Sequence, residues 1–282
     1  MIASFRAELL RLTKWPATWV LSALWLLLNL SFAYVFPYLS YRSAVADGDT
    51  RVADALLADV SMAELPATLV QGLPMFGGAI VMILAALATG SGFGWSTWKT
   101  VHTQGPTRVA AISGTLAALG AIISGVVLAT LAADMAGSAT VMALESESIS
   151  WPAGFDVAES VGASLLITGM FGCFGAVLGV LTRGPALSVG LGLVWALVVE
   201  NLLRGVAGLL GPVEVVTNVL PGTAAGSLAG ALGAAGESTG AGQDGTPGVL
   251  SILEGDVATW LLFGYAVAFI VVLAAVVRRR DI

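Results

Sequence analysis

Cysteine occurs once in the 282 residues, at Cys173, and histidine once, at His102. A lone thiol excludes an intramolecular disulfide, and one thiol with one imidazole falls short of the ligand set of a zinc centre. Charge is scarce as well: 11% of residues are Asp, Glu, Lys or Arg, against about 25% in an average soluble domain. The 12 bases and 18 acids leave a net charge of -6. There is no basic stripe of the kind that neutralises phosphates, which argues against nucleic acid as a partner. Lysine is present only as Lys14 and Lys99, which follow Thr13 and Trp98. The Gly-Lys-Ser/Thr core of a P-loop is therefore missing, so the chain has no P-loop with which to hydrolyse ATP. What fills the composition is apolar: 57% of residues are hydrophobic, with a mean hydropathy of +0.92. Lipid is the solvent that suits such a chain.

Six uninterrupted apolar runs fall at about 15–38, 69–92, 108–133, 160–182, 185–204 and 257–277, each long enough to cross a bilayer as a helix. They predict an all-α integral membrane protein with six transmembrane helices in one domain, 1–282. The first run follows Arg6, Arg11 and Lys14 as a signal peptide would. It exceeds the usual ~7–15 apolar residues, carries bulky Trp19 and Trp25, and lacks a small-residue cleavage site. It reads as a retained first helix. Six spans place both termini on one side, and the bases say which. Arg6, Arg11, Lys14, Lys99, Arg108, Arg183, Arg278, Arg279 and Arg280 sit at the termini and in the second and fourth loops. That is nine of twelve, and the excess of bases marks the cytoplasmic face. The other face holds Arg42, Arg51 and Arg204 beside most of the acids, among them Asp47, Asp49, Asp54, Asp59, Glu145, Glu147, Asp156, Glu254 and Asp256.

Residues 2–14 space Ile2, Phe5, Leu9 and Leu12 near three and four apart, which predicts a short helix lying in the cytoplasmic interface before Pro16. An ordinary basic flank is the plain alternative. On the outer side, residues 39–66 are acidic and include an amphipathic candidate helix with Val52, Leu56, Leu57 and Val60; residues 134–159 are polar; residues 205–254 are rich in Gly and Ala, with a polar, flexible stretch from Gly233 to Gly248. Inside the spans, Gly175 and Gly179 form a GxxxG pair. Small residues let helix backbones approach, so the pair reads as bundle packing, with a dedicated dimer face as the alternative.

The stretch Gly90 to Arg108, GSGFGWSTWKTVHTQGPTR, joins the second and third spans on the basic side. Trp95 and Trp98 suit the headgroup level. Ser96, Thr97, Lys99, Thr100, His102, Thr103 and Gln104 supply polar groups around Val101, and Gly105-Pro106 ends a short helix. Here the chain resembles the ABC-2 type family of ABC transporter permeases, whose second and third spans are joined by a motif like E-Y-x-x-G-T-x-K-T and a small-residue, Pro and Arg ending. Phe93, Thr97, Trp98, Lys99, Thr100, Gln104, Gly105, Pro106 and Arg108 stand where that pattern would put them. The match departs at Gly92, where the family usually has an acid, and at Ser96, where Gly is more usual. The six-span layout, the basic N-terminal segment and LPGTAAGSLAGAL from Leu220 to Leu232 are similar to the family as well.

The resemblance implies the permease subunit of an ATP-driven exporter in a bacterial plasma membrane. Its substrate would be hydrophobic or amphipathic: a drug, peptide or lipid. It implies no cofactor in this chain, ATP and Mg held by two separate ABC ATPase subunits, and a second permease chain, identical or homologous. Residues 95–104 would be the cytoplasmic coupling helix that docks on the ATPase.

Glu200 lies about 15 residues into the fifth run, on the order of 20 Å deep at 1.5 Å per residue. An acid at that depth is a candidate substrate or ion site, while Arg204 four residues on offers a structural ion pair; both readings stand. Two other function classes compete with transport. An intramembrane serine protease lacks a base, because His102 falls in a loop, and an aspartyl pair lacks its two acids in the apolar cores. A non-transporting accessory, immunity or sensor subunit is compatible with the same helices.

Overall fold

The computed structural model describes residues 2–94, 107–207, 211–234 and 246–279. Six of its helices are long and apolar enough to cross a membrane: α2 (Pro16–Asp47), α4 (Met62–Phe93), α5 (Arg108–Glu145), α6 (Gly154–Thr182), α7 (Pro185–Val206) and α10 (Gly255–Arg279). They are joined by α1 (Ile2–Lys14), α3 (Thr50–Asp59), α8 (Gly211–Asn218) and α9 (Pro221–Ala229). No strand occurs among the described residues. Residues 95–104, which the sequence reading takes as a coupling helix, lie outside the described residues.

The bundle is built around α4, whose most apolar window is 72% buried, and α6, at 56%. The GxxxG pair explains their contact. A Cβ on Gly175 would collide with the Met82 carbonyl, and one on Gly179 would lie 2.7 Å from the Ala86 carbonyl oxygen, so only glycine lets these backbones touch. The outer helices α2, α7 and α10 are 22%, 17% and 17% buried over the same kind of window. Apolar helices that bury so little within the chain have lipid or another chain as their remaining solvent.

At the end of the bundle that carries both termini, α1 docks Leu12 into a core with Leu84, Ala85, Ala118 and Leu273, and Phe5 and Leu9 pack beside it. Arg11 joins this end together. Its guanidinium donates to Glu8 Oε2 at 2.8 Å and to the Ala88 carbonyl at 3.0 Å, and sits 5.7 Å from the Trp15 ring centroid. Pro16 opens α2 in its first turn, where its missing N–H costs nothing. At the other end α3 starts from Asp49, whose Oδ1 accepts from the Val52 amide at 3.2 Å. It turns Ala53 inward while Val52 stays exposed, and Val60 is buried just beyond its C-terminus.

Two differences from the sequence reading bear on function. The third span runs on as helix to Glu145, so Asp134, placed outside by a reading that ends the span at 133, is wholly buried within the helix. The apolar run stops there, but backbone hydrogen bonding does not need apolar side chains, and Asp134 and Glu145 each find a partner on α2. The second concerns residues 205–254, which contain two helices bent by 65° rather than only a surface connection. Every residue of Pro221–Ala229 is buried. The segment is nearly all Gly, Ala, Ser and Thr, so it carries little hydropathy signal, yet small side chains let it pack inside the bundle.

Candidate functional site

Three polar features are built into this apolar bundle. The first is the Glu200 and Arg204 pair on α7. Arg204 Nη2 lies 3.3 Å from Glu200 Oε2, and the Trp195 indole N–H donates to Glu200 Oε1 at 2.8 Å. Residues five apart diverge by roughly 140° on an ordinary helix. Here a π-helical turn over Val194–Val199, with its i→i+5 bonding, brings Trp195 and Glu200 to one side. Glu200 is 1% exposed and meets the N-terminus of α9, where a backbone hydrogen bond from Gly222 reaches it. A Cβ on Gly222 would collide with Glu200 Oε2. The carboxylate thus has an indole, a guanidinium and a helix N-terminus as partners, all of which favour negative charge.

The second feature is a seam between α2 and α5, two helices that run parallel. Trp25 Nε1 donates to Thr130 Oγ1 at 2.9 Å, and one turn on Asn29 Nδ2 donates to Asp134 Oδ1 at 2.6 Å. A π-helical turn at Ser31–Val35 then keeps Tyr34 on the seam, with its ring where a Gly137 side chain would be. At the end of the seam away from the termini, Tyr38 and Tyr41 donate to the two oxygens of Glu145 at 2.7 and 2.9 Å. Only one bond secures Asp134. Its Oδ2, and the Ser138 hydroxyl one turn away, are buried without a hydrogen-bond partner, and no ion pair among the described residues includes Asp134. The sequence signal was present in Asn29, an amide in the midst of a run that is otherwise almost wholly apolar.

The third feature is a pair of adjoining cavities beside the seam. The inner one, about 250 Å³, is lined by Trp25, Asn29, Phe32, Gln71 and Phe76 among others. The outer one, about 360 Å³, shares Phe32, Gln71 and Thr246 and adds Phe36, Asp59, Glu64 and Thr68. Phe32 stacks on Phe76 with centroids 6.2 Å apart and meets Phe36 edge-on at 5.2 Å, so an aromatic wall runs along both. Partial desolvation raises the Asp59 carboxyl from its ordinary value. No base lines either cavity among the described residues.

Of the sequence-predicted site residues, Glu200 and Arg204 are brought together. Trp95, Ser96, Thr97, Trp98, Lys99, Thr100, Val101, His102, Thr103 and Gln104 lie outside the described residues. On their flanks, Phe93 packs with the core of the end that carries the termini, and α5 opens at that end with Thr107 Oγ1 accepting from the Ala110 amide at 3.2 Å. No group of three or more His, Cys, Asp or Glu placed to hold a metal occurs among the described residues. No family model matches the chain, and no curated protein matches it.

Proposed function

We propose that the chain is the membrane-spanning permease subunit of an ATP-driven exporter, powered by separate ATPase subunits that dock on residues 95–104. The observation that carries this reading is the run of residues from Phe93 to Arg108 that resembles the ABC-2 pattern, between two long apolar helices and beside the end that carries both termini. The basic excess at that end makes it the cytoplasmic one, with α1 at the membrane surface, where docking to an ATPase is feasible. ATP and Mg would be bound by that partner, since this chain has no P-loop sequence. Two ATPase subunits and a second permease chain complete the assembly, and the little-buried α2, α7 and α10 offer apolar faces to the second chain or to lipid. The cargo is a hydrophobic or amphipathic molecule, for which an apolar bundle with lateral cavities is suited.

Thr100→Glu with Val101→Glu tests this. Two carboxylates in a docking surface without partners cost several kcal/mol, enough to lower ATPase association by orders of magnitude while the bundle keeps its thermal midpoint. Unchanged co-purification with an ATPase and unchanged substrate-stimulated turnover would remove the main support for the reading.

A further inference from the structure

The two adjoining cavities combine three properties. Their wall is aromatic, from Trp25 and Phe76 through Phe32 to Phe36. Their charged groups are all acids: Asp59 and Glu64 line the outer cavity, and no Lys, Arg or His lines either one among the described residues. Behind the inner wall stands a further acid, because Asn29, which lines that cavity, is hydrogen-bonded to buried Asp134. The outer cavity, about 360 Å³, falls in the range of roughly 300–1,000 Å³ that holds a drug-sized molecule, and the adjoining inner one adds about 250 Å³.

We propose that these cavities form a binding site for an amphipathic organic cation, with its apolar body against Phe32, Phe76 and Trp25 and its cationic head toward Asp59 and Glu64. Aromatic faces carry negative quadrupole density and attract a cation as well as an apolar body, whereas an anion of the same shape meets only like charge. Phe32 and Phe36 are 58% and 51% exposed on the outside of the bundle, which gives an amphipathic molecule a way in from the membrane. That such a cation is exported cargo rests on the exporter reading; the binding itself does not.

The probe is tetraphenylphosphonium, compared with tetraphenylborate, which has the same shape and the opposite charge. Equilibrium binding to the purified full chain in neutral detergent, and again in phosphatidylcholine nanodiscs, should favour the cation at least tenfold. Asp59→Asn with Glu64→Gln should weaken cation binding roughly two- to fivefold per acid, as expected for exposed charges, without lowering the thermal midpoint. Gln71→Lys, which puts a base where the cavities meet, should abolish it. Asp54→Asn lies on α3 with Asp59 but outside both linings and should change binding less than twofold. Equal binding of the two ions would mean simple apolar partitioning and overturn the proposal. So would a loss in Asp54→Asn equal to that in the double variant, which would assign the effect to general surface charge. Displacement of the cation by the nanodisc lipid would assign the cavities to acyl chains. Intact cation binding in a chain that recruits no ATPase would leave this site standing and defeat the exporter reading.

Discussion

Asp134 is held by one hydrogen bond, from Asn29, and its second carboxylate oxygen has no partner. An uncompensated charge at that depth is expensive, so the amide that shares the site carries more weight than a neutral pair usually does. Asn29→Leu removes the sole donor and should lower stability by about 1–2 kcal/mol, read as a fall of several degrees in the thermal midpoint of the detergent-purified chain. Asp134→Asn keeps a polar partner for Asn29 and removes the buried acid, and should leave the midpoint unchanged or raise it. The opposite ranking would show that the carboxylate itself stabilises the seam. Glu200 is the contrasting case: it is as deeply buried, but an indole, a guanidinium and a helix N-terminus surround it. Its pairing with Arg204 was legible from a spacing of four. The contribution of Trp195 was not, because it depends on a π turn that no residue pattern announces.

Among the elements, α4 and α6 are the most buried of the six long helices, and they meet through glycine. Gly175 meets the Met82 backbone, and Gly179 meets the Thr89 hydroxyl with the Ala86 carbonyl and the Gly90 amide nitrogen close behind it, so even if the Thr89 side chain turns aside a larger residue still meets backbone that cannot yield. Gly179→Leu should cost about 3 kcal/mol or more and reduce the yield of folded protein. Gly169→Leu, on the same helix with nothing within 4 Å of its missing side chain, should be tolerated. Size-exclusion profiles and melting of the two variants distinguish them, and equal loss would contradict the packing account. The GxxxG spacing was visible in the sequence, while the helix it grips was not. Likewise the helix at Pro221–Ala229 stood in the sequence as a run of small residues whose burial follows only from the space left between other helices.

For the whole molecule, orientation is the property on which the functional reading turns. With Cys173→Ser as background, Ser148→Cys lies in the exposed connection between α5 and α6 and should react with a membrane-impermeant thiol reagent on intact cells. Labelling only after lysis would place the basic end outside and remove the ATPase docking side. The same arrangement leaves α2, α7 and α10 largely uncovered, as a chain that works alongside a second copy or in lipid requires.

The amino-acid sequence by itself determined that six segments are long and apolar enough to cross a membrane as helices, which ends carry the bases, and that no P-loop sequence is present. These depend on side-chain composition along a local stretch, and the transfer energy of an apolar run is additive along the chain. Tertiary structure alone decided that Asp134 is buried, that two π turns align polar residues five apart, and that acids and aromatics from α2, α3 and α4 surround one pair of cavities. Those depend on which helix faces meet, and facing is set by packing between segments far apart in the chain, for which a single sequence carries no direct signal.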